Sequence, residues 1–80
     1  MKYTLNMAAM NAPFFVPSSV VDKHIKLASL DQIKVLLVFL KNVSLGTSAE
    51  QIAEFLRLPL SEVTDALDFW AEREIIIAEG

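Results

Sequence analysis

Asp65, Asp68 and Glu72 stand three and four residues apart near the end of the chain. At about 100° per residue in a helix they fall within roughly 60° of one another, so one face carries all three carboxylates. Grouped carboxylates can move protons, accept a hydrogen bond from cytosine N4, or receive a basic partner. On a solvated face they do no general-acid work. The only histidine, His24, cannot hold zinc by itself, and the absence of cysteine removes disulfides, thiolate sites and thiol nucleophiles. There is no Gly-rich phosphate loop, no Ser–His–acid set and no His/carboxylate metal cluster. The sequence therefore predicts a protein that is not an enzyme, with no cofactor and no metal.

The carboxylates lie in "EFLRLPLSEVTDALDFW", residues 54–70, and just beyond it. Its pattern is that of two helices joined by the tight turn with which many proteins grip DNA. Val63, Ala66, Leu67 and Trp70 form the buried stripe of the second helix, and the carboxylates occupy the side that would enter the groove. Affinity for DNA comes from Lys and Arg displacing counterions from phosphates. This helix offers only Arg73, at its end, and the helix before it sets Arg57 against Glu50 and Glu54. The carboxylates are either a solvated face or a docking face for a basic partner. Phe69 lies beside them, off the stripe, and either joins an interface or tucks into the core.

Charge is divided along the chain. Residues 1–45 carry five basic and two acidic side chains, residues 46–80 two and eight, for a net −3. Such lopsidedness directs how copies or partners meet, and the positive half of a second copy is one candidate for the acidic face. Lys23, Lys26, Lys34 and Lys41 read as ordinary surface, and His24 as a half-buried packing residue. The apolar fraction of 54% exceeds the roughly 45–50% of an average chain. Either the core is unusually complete or apolar surface is left for a partner. No run suits a membrane span, and the first residues make poor signal-peptide material, which places the expected compartment in the cytoplasm.

Around these residues the elements follow in order. Tyr3, Leu5 and Met7 alternate like a weak strand in an N-terminal extension, residues 1–12. "PFFVP" predicts a short strand at 14–16. "SSVVDKHIKLA" predicts a helix capped by Ser18 or Ser19, with Val20, Val21, His24 and Leu27 on one side. Ser29 and Gln32 form a capping-box pattern for a helix that is apolar nearly all round, its stripe being Ile33, Leu36, Leu37 and Leu40. Gly46 marks a loop. Thr47 with Glu50, or Ser48 with Gln51, caps the next helix, and Ser61 the last. "EIIIA" predicts a strand at about 75–78 that pairs with 14–16. The fold class is mainly α: four helices and a small sheet, the skeleton of a winged helix over residues 13–80. The stop at Gly80, without a second wing strand, predicts a piece of a longer protein.

"FFVPSSVVDKHIKLASLDQIKVLLVFLKN" followed by "TSAEQIAEFLRLPLSEVTDALDFWAEREII" resembles the N-terminal domain of DnaD-type replication initiation proteins. The resemblance covers about residues 13–78. It rests on the joint order of the "VP" junction, the helix from Leu30, "S-x-E-x-I-A-x-x-L-x-L-P", "S-x-V-x-x-A-L-x-x-W" and the isoleucine strand. It implies a winged-helix domain for oligomerisation and partner binding within the primosome, with most DNA binding supplied elsewhere, and no catalytic residues. One departure is that Glu74 follows Arg73 where winged helices place glycine to cap the last helix.

The sequence reading is thus a self-associating scaffold that forms homodimers or higher oligomers and meets other replication proteins. Its expected seam is Phe14, Phe15 and Val16 with Ile75, Ile76 and Ile77, and Phe69 as a lesser candidate. Asp65, Asp68 and Glu72 form the acidic docking face. The competing reading is a DNA-binding transcriptional regulator built on the same helix pair.

Overall fold

The computed structural model of the chain describes residues 2–79. Three helices carry the core: α1 (Leu30–Asn42), α2 (Ala49–Leu56) and α3 (Leu60–Glu72). A single π turn, Val20–His24, precedes them, and 3-10 turns occupy Met7–Ala9 and Val43–Leu45. The mainly-α class stands. Among the described residues there is no strand, so the expected sheet of 14–16 with 75–78 is corrected.

Local chemistry sets each helix start. The hydroxyl of Ser29 accepts the Gln32 N–H at 3.1 Å, and the Gln32 carboxamide oxygen accepts the Ser29 N–H at 2.8 Å. Ser48 and Gln51 repeat this reciprocal box at the head of α2, at 3.2 and 2.9 Å, which decides between its two candidate caps. Ser61 does not cap α3. The Pro59 carbonyl already takes the Glu62 and Val63 N–H groups at 3.0 and 3.2 Å, so the helix begins before Ser61. Proline suits that place because its φ is fixed and it has no N–H to satisfy.

Two helix ends close in one way. Arg57 and Glu74 adopt left-handed φ values of 58° and 62°. The Leu58 N–H then reaches the Ala53 carbonyl at 3.1 Å, and the Ile75 N–H reaches the Trp70 carbonyl at 3.0 Å. These are Schellman closures, built without the glycine that usually supplies them. Glu74 therefore caps α3 despite its Cβ, and the angle of the last segment is set. The same closure removes one donor from the expected sheet. The N–H of Ile75, first residue of the expected strand, is committed to α3, and Pro13 and Pro17 bring no N–H to the other side.

Packing falls into two clusters divided by α1. Val35, Ile52, Val63 and Ala66 are buried between the three helices. On the other side Val20, Leu36 and Trp70 are buried, with Val16, Ile33, Leu40, Ile75 and Ile76 leaning on them. The two expected strands thus rest on one cluster without pairing. Leu37, expected in the stripe, is exposed, whereas its neighbours Val35 and Leu36 are fully buried. Val21 and Leu27, expected on the same side as Val20, are exposed as well. His24 is half-buried and stands edge-on to Trp70, with ring centres 6.2 Å apart.

Candidate interaction site

Asp65, Asp68 and Glu72 are all exposed on the outer side of α3. They line a shallow groove with Leu27, Gln32, Phe69 and Arg73. The cation at the end of the helix, Arg73, is exposed in the same groove and lies stacked on Phe69. The Arg73 guanidinium carbon sits 3.5 Å from the centre of the Phe69 ring, and Nη1 donates to the Phe69 carbonyl at 3.0 Å. That stack satisfies the helix C-terminus and covers the aromatic face. Within α3 itself the exposed charges, Glu62, Asp65, Asp68 and Glu72, are all acidic.

Phe69 is the clearest relocation. It is only 8% exposed and meets Trp70 edge-on at 4.9 Å. Its angular position on the helix pointed away from the stripe, but Arg73, four residues on, folds back over it. Phe69 therefore offers little surface to a seam beyond the edge that lines the groove. The remaining seam residues divide. Phe15 and Ile77 are 92% and 83% exposed, with Phe14 partly so. Val16, Ile75 and Ile76 are half-buried on the Trp70 cluster.

Three apolar features were missed in the sequence. A groove of about 700 Å³ runs between α1, α3 and the C-terminal segment, lined by Phe39, Leu40, Leu67, Ile76 and Ile77. Its charged lining residues are Asp68 and Glu79, both acidic. A smaller groove of about 360 Å³ is lined by Val38, Leu45 and Phe55. Phe55 could have been found: with Ile52, Ala53 and Leu56 inward, it must point out. The third feature is the N-terminal arm, where Leu5, Met7 and Met10 are exposed. Among the described residues, exposed large apolar side chains outnumber the buried ones.

The excess can be measured. The chain exposes 6440 Å², whereas a compact monomer of 8.9 kDa exposes about 4,800 Å². The surplus of about 1,600 Å², polar and apolar together, is about twice the ~800 Å² that one partner gives to a standard protein–protein interface.

Among the described residues no three metal-ligating side chains converge, and no helix is long and apolar enough to cross a membrane. Compared with known families, curated proteins and solved structures, the chain matches none.

Proposed function

We propose that this chain is a non-catalytic scaffold domain that self-associates and binds proteins during the initiation of DNA replication. Large apolar side chains left exposed, among them Phe15, Leu45, Phe55 and Ile77, support the self-association. At about 25 cal/mol per Å² of apolar surface, covering even some of these side chains contributes several kcal/mol before the costs of association. The replication assignment rests on the sequence pattern shared with primosomal initiation proteins.

The charge of α3 supports protein rather than DNA as the partner. Asp65, Asp68 and Glu72 point outward while Arg73 stacks on Phe69. A groove-entering helix of this kind repels phosphates, and its carboxylates suit a basic protein surface.

Two measurements test the proposal. Sedimentation equilibrium at about 100 μM, where weak micromolar association is populated, is expected to give a mass above that of one chain. Titration with duplex DNA at rising salt is expected to show almost no binding. Tight duplex binding that falls steeply with salt would instead favour a transcriptional regulator. In cells, loss of the chain is expected to stop new rounds of initiation while forks already moving finish.

A further inference from the structure

We infer that the groove between α1, α3 and the C-terminal segment receives an amphipathic helix of another protein. The apolar row of that helix lies in the groove, and a flanking row of Lys or Arg meets the α3 carboxylates. The inference rests on the protein-binding half of the proposed function and names the partner by its chemistry.

α3 carries two parallel rows on this side of the molecule. Thr64, Leu67 and Ala71 line the groove, and their spacing of three and four residues puts them on one face of the helix. Asp65, Asp68 and Glu72 each stand one residue further on, so they form a second row about 100° round the helix. Asp68 joins the two rows. It lines the apolar groove, and with Asp65 and Glu72 it also lines the shallow acidic groove. The apolar site therefore has a rim of carboxylates along its α3 side.

The charge on the groove has one sign. Its charged lining residues, Asp68 and Glu79, are both acidic. Arg73 lines the shallow groove, but it directs its guanidinium to the ring and carbonyl of Phe69. Opposite α3, Phe39, Leu40 and Ile76 are only half-buried, so their own chain leaves apolar surface uncovered. The groove volume of about 700 Å³ falls within the roughly 300–1,000 Å³ of sites that enclose a ligand.

Spacing selects a helix as the occupant. The carboxylates step about 4.5 and 6 Å along the axis of α3, close to the pitch of about 5.4 Å at which a second helix repeats one side. A strand repeats one side only every 6.8 Å or so. A helix laid along α3 brings a cation to each carboxylate while its apolar row fills the groove, the helix-in-groove mode of recognition. Such a helix needs an apolar residue directly before each Lys or Arg. α2 and α3 contain no lysine or arginine. α1 has Lys34 and Lys41, but the residues before them, Ile33 and Leu40, already pack on the Trp70 cluster. A second copy thus lacks a free helix of this kind.

Fluorescence anisotropy tests this with three labelled, alanine-rich helical peptides of about 15 residues. Each has leucine at every third or fourth position, followed directly by Lys, Gln or Glu. The Lys peptide is expected to bind the full chain with a Kd of about 1–100 μM. It is expected to bind about fivefold or more tighter than the Gln peptide, with the Glu peptide weaker still. The triple variant Asp65→Lys, Asp68→Lys, Glu72→Lys is expected to reverse that order. Ala71→Gln, which puts a polar side chain into the groove, is expected to weaken the Lys peptide several-fold with helical circular dichroism unchanged.

Equal affinity for the three peptides, or an order that the triple variant leaves unchanged, overturns the inference. So does a folded Ala71→Gln variant with unaltered affinity, since the peptide then lies outside the groove. Binding that occurs only as copies of the chain dissociate, read by sedimentation of the mixture, assigns the groove to a second copy and overturns it too. No binding of any peptide up to about 1 mM, by a chain that still gains mass on sedimentation, overturns the groove and leaves self-association standing. A chain that neither binds nor gains mass removes the underlying reading as well.

Discussion

The indole N–H of Trp70 donates to the backbone carbonyl of Gln32 at 2.7 Å, tying the last helix to the first turn of α1. Gln32 is also half of the capping box that starts α1. One residue thus holds the helix start and the α3 contact together. Trp70→Phe keeps most of the apolar volume and loses this bond. It is expected to cost about 1–2 kcal/mol, from the lost hydrogen bond and the small void. Urea denaturation with an unchanged m-value checks it.

The left-handed cap at Glu74 predicts a gain. A residue with a Cβ costs about 1–2 kcal/mol in that conformation, and glycine gives back part of this through its freer unfolded chain. Glu74→Gly is therefore expected to stabilise by about 0.5–1 kcal/mol, a rise in Tm of several degrees for a domain of this size. Glu74→Ala, which keeps the Cβ, is expected to bring no such rise.

Two serines that look alike in the sequence differ in weight. Ser48→Ala removes one side of a capping box and is expected to cost about 1 kcal/mol. Ser61→Ala is expected to change stability by less than about 0.5 kcal/mol, since its hydroxyl caps nothing. Parallel thermal melts of the two variants check the contrast.

These contrasts show what was legible. The Ser29 box, Gly46, the Trp70 core position and the mainly helical class depend on residues near one another in sequence, so spacing sufficed. Phe69 did not. Its position on an ideal helix says nothing of Arg73 curling back to cover it. The sheet failed as well: "PFFVP" and "EIIIA" have the composition of strands, but the Schellman closure at Glu74 takes the Ile75 N–H. The exposure of Asp65, Asp68 and Glu72 on one side of α3 was legible because charge and helical period decide it together, with no packing required. The groove was hidden because it belongs to three segments at once.

Burial separates Ile76 and Ile77, two of the three isoleucines of the proposed seam. Ile77→Lys is expected to weaken self-association while leaving the helical content and melting point of the monomer intact. Ile76→Lys puts a charge against Trp70 and is expected to lower stability by several kcal/mol as well. Circular dichroism and gel filtration on the pair distinguish an interface residue from a core one.

Reversing the charge of α3 tests why it avoids DNA. A triple Asp65→Lys, Asp68→Lys, Glu72→Lys variant is expected to acquire duplex binding that weakens steeply with salt, with the fold unchanged because all three side chains are exposed. Fluorescence anisotropy on a labelled duplex, run at two salt concentrations, checks it.

The most direct measurement is sedimentation equilibrium of the unaltered chain across a dilution series up to about 100 μM. The account predicts a mass that climbs towards two or more copies as concentration rises. A constant 8.9 kDa throughout would contradict it.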